Sequence, residues 1–292
     1  MSRKAATFVG FTAVLMWSFL ALFSTAANAI PPFELAAFSF FVGGMLGATT
    51  WPFRPVVFRQ LLKQDWRLWV LGICSLFGYH FIYFTAIRNA PPVEVSLIAY
   101  LWPLFLVVFS ALLPGEKLRF HHVAGVVLGL IGAVLVITRG QGLGMIGGLK
   151  LGHALAVPCA FIWSGYSILA RRFGNVPTDV VSGFCLAAAA LSLLSHLIFE
   201  ATVWPQDILQ WLAVLGLGLF PLGLAFYTWD YGLKHGDIMV LGATSYAAPL
   251  LSTLVLVMFG FAQFHWSIAL ACALITGGAI IAAKDLISGK PD

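Results

Sequence analysis

Charge is what this chain has least of. Of 292 residues only 16 are Lys or Arg and 11 are Asp or Glu, 9% together, while residues of the AVILMFWYC set make up 61%. A soluble domain carries roughly 25% charged residues, so no water-facing surface can be built from this composition. Cysteine is also sparse: Cys74, Cys159, Cys185 and Cys272 fall inside apolar stretches without close pairing, which implies neither a disulfide framework nor a metal site and reads as four small core residues. No ATP-binding motif, no paired carboxylates and no metal-ligand spacing at one depth are present, so an enzyme lacks its machinery. The adjacent His121-His122 pair stands at a basic helix start and reads as interfacial.

What the chain does have is apolar length. Ten stretches run near 6–27, 32–52, 67–88, 92–113, 121–138, 150–171, 179–201, 210–233, 238–261 and 265–284, each close to the ~20 residues that cross ~30 Å of hydrocarbon. The connections leave no room for a soluble domain. Arg3-Lys4, the first stretch and Ala27-Asn28-Ala29 imitate a signal peptide, but the stretch exceeds the 7–15 residues of a signal h-region. Its Trp17-Ser18 pair also recurs as Trp163-Ser164, so it reads as a retained helix.

That recurrence is general. Shifting residues 17–146 by 146 positions superposes Pro31 on Pro177, Leu71-Gly72 on Leu217-Gly218, Tyr100 on Tyr246, Pro103-Leu104 on Pro249-Leu250 and Gly132-Ala133 on Gly278-Ala279. Two units follow, residues 1–146 and 147–292. Each holds five spans, and because five is odd the second must enter the membrane from the opposite side, giving an inverted repeat of the kind found in secondary transporters. The expected fold is therefore an all-α integral membrane protein of ten transmembrane helices in two inverted five-helix repeats.

Orientation follows from the basic residues. With the N-terminus inside, Arg3, Lys4, Arg54, Arg59, Lys63, Arg67, Lys117, Arg119, Arg171, Arg172, Lys234, Lys284 and Lys290 are cytoplasmic, and only Arg88, Arg139 and Lys150 lie outside. That bias puts both termini in the cytoplasm. It explains the net charge of +5 without nucleic acid and makes anionic lipid headgroups the partner of the basic face.

Proline punctuates the spans at two levels. Pro31-Pro32-Phe33-Glu34 and Pro91-Pro92-Val93-Glu94 each place proline in a first helical turn and a carboxylate at the positive end of the helix dipole, a start signal. Ion coupling through Glu94 remains the alternative. Asp179, after Pro177-Thr178, repeats the pattern. Pro103 and Pro249 instead lie in mid-span, where proline removes a backbone hydrogen bond and kinks the helix. Such irregularity survives in a membrane only beside protein or a water-filled cavity, so the pair marks hinges at the repeat interface.

Trp17, Tyr79, His80, Tyr100, Trp102, Trp163 and Tyr246 fall near the midplane, with Tyr83 one turn farther out. Tyr and Trp normally anchor at the two interfaces, and a polar OH or NH at mid-depth needs a partner or a cavity. Tyr79 and Tyr83 share a face, as do Ser96, Tyr100 and Pro103, and Gly242, Tyr246 and Pro249. These residues predict a substrate-binding chamber of rings and hydroxyls, against the plainer reading of helix-to-helix packing. His80 is the one mid-depth histidine, either neutral and hydrogen-bonded or a proton carrier. Asp230, with Lys234 at i+4, is either a salt-bridged helix end or inner gate, or a proton site. No formal charge sits at the centre, so the chamber suits a flat, amphipathic, net-neutral molecule.

The Trp-Ser pairs of spans 1 and 6, the stretch from Pro91 to Leu104 (Pro-Pro-Val-Glu-Val-Ser-Leu-Ile-Ala-Tyr-Leu-Trp-Pro-Leu) and Gly115-Glu116-Lys117-Leu118 resemble the drug/metabolite transporter superfamily, EamA branch. The resemblance implies export of small metabolites through a pocket formed chiefly by spans 1, 3, 4, 6, 8 and 9. Phe261-Ala262-Gln263-Phe264 replaces the Gly-Glu-Lys-Leu motif in the second half, so that motif does not carry over. The expectation is a bacterial inner-membrane exporter of aromatic and other apolar amino acids, working by alternating access without cofactor or ATPase subunit. Broader drug or metabolite efflux is the alternative, and a membrane-embedded enzyme or scaffold the remaining one.

Overall fold

The computed structural model describes residues 2–114, 117–141 and 150–285. Gly115-Glu116, the expected repeat boundary at 146/147 and Lys290 lie outside them. Regular structure among the described residues is entirely helical: α1 (Arg3–Trp17), α2 (Leu20–Ala26), α3 (Pro32–Ala48), α4 (Pro55–Leu62), α5 (Trp66–Ile73), α6 (Tyr79–Asn89), α7 (Pro92–Ala99), α8 (Trp102–Ser110), α9 (Phe120–Ile137), α10 (Leu151–Arg172), α11 (Val180–Phe199), α12 (Ile208–Leu219), α13 (Ala225–His235), α14 (Ile238–Thr244), α15 (Ala247–Met258) and α16 (Trp266–Ala282). Among the described residues eight helical runs are long and apolar enough to cross a membrane: Arg3–Ala26, Pro32–Phe53, Trp66–Asn89, Phe120–Ile137, Leu151–Arg172, Val180–Phe199, Ile208–His235 and Ile238–Met258. Two shorter apolar helices, Glu94–Ser110 and Trp266–Ala282, occupy the places of the fourth and tenth expected spans.

Several runs are broken, and proline explains two of the breaks. Its ring clashes with the carbonyl four residues back, so α7 ends at Ala99 and α8 begins at Trp102 with Pro103 in its first turn. Pro249 likewise sits in the first turn of α15, after the break that follows Thr244. The break between α1 and α2 at Ser18 has no proline; there the Ser18 hydroxyl donates back to the Leu15 carbonyl at 2.6 Å, competing with the helical ladder. Two π turns, Cys74–Gly78 before α6 and Phe220–Leu224 before α13, were not foreseen. They lie 146 residues apart.

Packing joins the first half of the chain to the second. α3 runs along α11, α1 along α13, α6 along α10 and α9 along α16. Small residues permit the closest approaches: a Cβ on Gly125 of α9 would stand 2.5 Å from the Gly278 carbonyl oxygen of α16. A Cβ on Gly10 of α1 would stand 2.9 Å from the Gly232 Cα of α13. Glu34 and Glu94 do open helices, but their carboxylates reach across the halves. Glu34 accepts from the Val203 N–H at 2.9 Å, and Glu94 pairs with His153 at 2.5 Å. The cysteines divide: Cys159 and Cys185 are core residues as expected, whereas Cys74 and Cys272 are exposed on apolar helices, where a thiol serves as a small hydrophobe.

Candidate functional site

A cavity of about 390 Å³ is lined by residues of both halves, within the range of small-molecule pockets. Trp17, Tyr79, His80, Tyr83, Tyr100, Trp102 and Trp163 line it, as the sequence led us to expect; Ser96 and Tyr246 do not. Ser96 stands behind the wall, its hydroxyl 3.0 Å from that of Tyr83. Tyr246 is fully buried and its hydroxyl accepts the Leu104 N–H at 3.1 Å, one of the donors orphaned at the start of α8.

One wall comes from the start of α6, directly after the first π turn. The rings of Tyr79 and Tyr83 stack at 5.8 Å and 7°, as i,i+4 neighbours on a helix should. His80 Nδ1 lies 2.7 Å from the Leu76 carbonyl oxygen. A carbonyl can only accept, so Nδ1 carries the hydrogen, and in the neutral ring Nε2 is left as an acceptor. Phe40 meets the same ring edge-on at 5.1 Å. Tyr100 lies at the break between α7 and α8, and neither its hydroxyl nor that of Tyr79 has a hydrogen-bond partner among the described residues.

The floor is built of indoles. Trp17 packs on Trp163 at 5.8 Å, on Trp102 at 6.3 Å and on Trp229 at 5.2 Å, in the edge-on and tilted geometries that aromatic quadrupoles favour. Trp17 Nε1 donates to the Pro221 carbonyl at 3.1 Å, within the second π turn. Trp229, fully buried, donates to Ser167 Oγ at 3.2 Å. Phe226, which lines the cavity, was missing from the expected site, and Trp229 stands behind the floor. The 146-residue shift sets Phe226 on His80, which was the signal available.

Among the described residues formal charge lies toward the two ends of the helix assembly. At the end holding the start of α1, Lys234 and Asp230 form an ion pair at 2.7 Å with both side chains 2% exposed. Thr178 Oγ1 donates to the same carboxylate at 2.8 Å, and Lys234 Nζ donates to the Val176 carbonyl at 3.0 Å. Arg171 donates to the carbonyls of Leu233 and Gly236, completing a closed end. The other end holds the cavity mouth, with Asn28, Ile30, Pro32 and Ile87 in its lining. There Arg88 pairs with Glu200 at 2.9 Å. Away from the cavity, His121, His122 and Asp285 bring ligand atoms within 4.8 Å of one another, which spacing along the chain did not show. Arg119 on the same Asp285 carboxylate at 2.6 Å already supplies its countercharge.

An aromatic, centrally uncharged chamber closed at one end of a helical membrane assembly is the site of a carrier. The EamA-like transporter family model matches residues 4–138 and again 150–283, and the chain belongs to that family. Its members are transporters, not enzymes. The aromatic amino acid exporter YddG of Ancylobacter novellus is 54% identical over 97% of this chain and 98% of its own. The YddG exporter of Escherichia coli K12 is 25% identical over 96% and 97%. A crystal structure 52% identical to this chain, covering 97% of it and 98% of the solved chain, superposes with a TM-score of 0.90.

Proposed function

We propose that the chain exports aromatic and other apolar amino acids across the bacterial inner membrane by alternating access. It does so as ten spans in two inverted repeats, 1–146 and 147–292, with both termini in the cytoplasm. The observation that carries the reading is the chamber itself: ring faces and unpartnered hydroxyls around 390 Å³, with no formal charge in the lining. Ring faces attract an ammonium group and stack on an aromatic side chain. The lone acceptor on His80 suits the ammonium, and the free hydroxyls of Tyr79 and Tyr100 suit the carboxylate. The two matches of the family model support the duplicated unit, and the 54% identical relative's name supports the substrate class.

In this topology the cavity mouth at Asn28 and Ile30 faces outward and the Lys234–Asp230 end faces the cytoplasm, so the structure is the outward-open state. The halves rock about the breaks at Pro103 and Pro249 to expose the chamber to the other side. Transport is driven by gradients, of the substrate alone or with a proton. Uptake of radiolabelled phenylalanine, tryptophan, threonine and alanine into inverted vesicles, with and without a pH gradient, tests the reading. Saturable uptake that prefers the aromatic substrates is expected. Uptake of none of them, with efflux of unrelated apolar compounds instead, would sink it.

A further inference from the structure

The cavity is open at one end only, and the 146-residue repeat makes each bond at the sealed side comparable with a mate elsewhere. Leu104 N–H donates to the Tyr246 hydroxyl at 3.1 Å. The mate would join Leu250 N–H to the Tyr100 hydroxyl; it is not formed among the described residues, and Tyr100 faces the cavity instead. Trp17 Nε1 donates to the Pro221 carbonyl at 3.1 Å. The mate would join Trp163 Nε1 to the Ser75 carbonyl, inside the matching π turn, and it too is absent among the described residues. Lys234 Nζ donates to the Val176 carbonyl at 3.0 Å. Its mate would carry Arg88 to the Ile30 carbonyl; it too is absent among the described residues, and Arg88 pairs with Glu200 at the open mouth.

All three pairs break the symmetry in the same sense. Each formed bond belongs to the closed side and each missing mate to the open side. The donors and acceptors needed for the mates are nonetheless in place: a hydroxyl at Tyr100, an indole N–H at Trp163, a guanidinium at Arg88 and main-chain groups at Leu250, Ser75 and Ile30. The π turns have a physical part in this, since widening the helix to an i→i+5 ladder releases carbonyls from the normal i→i+4 ladder. An indole can reach such a carbonyl.

We infer that the inward-open state is made by exchanging these three bonds for their mates. Tyr100 and Tyr246 then alternate between facing the substrate and capping a broken helix, and Trp17 and Trp163 alternate between seal and wall. The inference rests on the alternating-access reading above and adds the residues that switch.

The same chemical change at mated positions must then act with opposite sign. Single cysteines at Ser24, which lines the cavity, and at its mate Ala170, which is 3% exposed, report the two states through labelling by a thiol reagent. They are placed in protein whose exposed Cys74 and Cys272 have been replaced. Tyr246→Phe removes a bond of the outward-open state and should lower Ser24→Cys labelling while raising that of Ala170→Cys. Tyr100→Phe should do the reverse. Each shift in the ratio of states should be about 2- to 13-fold, the worth of one net hydrogen bond. Trp17→Phe and Trp163→Phe form a second opposed pair with the same signs, should the fully buried Tyr246 not tolerate change. Shifts in the same direction, or no shift while phenylalanine still moves the reporters of the parent protein, would overturn the exchange alone. Reporters that ignore phenylalanine in the parent protein would overturn alternating access and the exchange with it.

Discussion

Removing one partner of the Lys234–Asp230 pair tests how the closed end is held shut. The ammonium of Lys234 lies 2.7 Å from the carboxylate, and both side chains are 2% exposed. Lys234→Met leaves Asp230 buried with neutral hydroxyls for partners, Thr178 at 2.8 Å and Tyr166 beside it. Breaking a buried pair from one side costs about 3–5 kcal/mol, whereas replacing both partners by apolar groups is often neutral. The penalty applies only while the end is closed, because opening it lets water reach the carboxylate. The closed end should therefore lose roughly 10²- to 4 × 10³-fold in population, at ~1.4 kcal/mol per tenfold. A cysteine at Ala170, labelled from the cytoplasmic side of inverted vesicles, should become reactive in Lys234→Met. It should be protected again in the Asp230→Leu, Lys234→Met double variant. If the single variant leaves labelling unchanged, or the double variant fails to restore protection, the pair is not what closes this end.

Losing a ring from the cavity wall should be selective. Tyr79→Ala and Tyr100→Ala should reduce transport of phenylalanine and tryptophan about 2- to 13-fold more than transport of threonine or alanine, from the ~0.5–1.5 kcal/mol of a ring–ring contact; equal loss for every substrate at matched protein level would make these rings packing. Pro103→Ala and Pro249→Ala restore a backbone donor that closes the helix breaks, so each should slow transport while membrane insertion, followed by protein level, is unchanged; normal rates in both would remove the hinge role. Cysteine at Asn28 or Gln206 should react with impermeant thiol reagents from outside and cysteine at Gln60 should not, and the opposite pattern would invert the topology.

The outline of the fold was legible because hydrophobic length and mid-span proline are local signals. The break before Trp102 follows from Pro103 alone, and the chamber rings Tyr79, Tyr83 and Tyr100 announced themselves by being amphipathic at mid-depth. What stayed hidden depended on register. The π turn at 74–78 carries no residue pattern that separates it from an ordinary helix, and Pro221 marks the one at 220–224 only as a break. Ser96 and Tyr246 share faces with lining residues, yet a helix face spans more arc than a cavity wall. Their hydroxyls were taken up by Tyr83 and Leu104 instead. Glu94 likewise gave no sign that its partner would be His153, because that pairing joins two spans through space.

Under the proposed exchange, bonds formed at only one end change during transport, whereas bonds formed at both ends can stay. Residues 54 and 200 stand 146 apart, and each fastens the end of its own span to the start of the other half's matching span. Arg54 reaches Asp179 at 2.5 Å, and Glu200 accepts the Phe33 N–H at 3.1 Å and the Glu34 N–H at 3.2 Å. The charges are opposite, and helix termini explain why. A helix start favours negative charge. At α11 the carboxylate is Asp179, which pairs with Arg54; at α3 no side chain caps the start and Glu34 turns to the Val203 N–H, so Glu200 accepts the first N–H groups. Since both links exist together in this one state, the α3–α11 pair is pinned at both ends and cannot be what rocks. On the proposed alternating-access reading, the movement that exchanges open and closed ends falls to the broken helices, α7–α8 against α14–α15, and to the turns at Cys74–Gly78 and Phe220–Leu224 that carry α6 and α13.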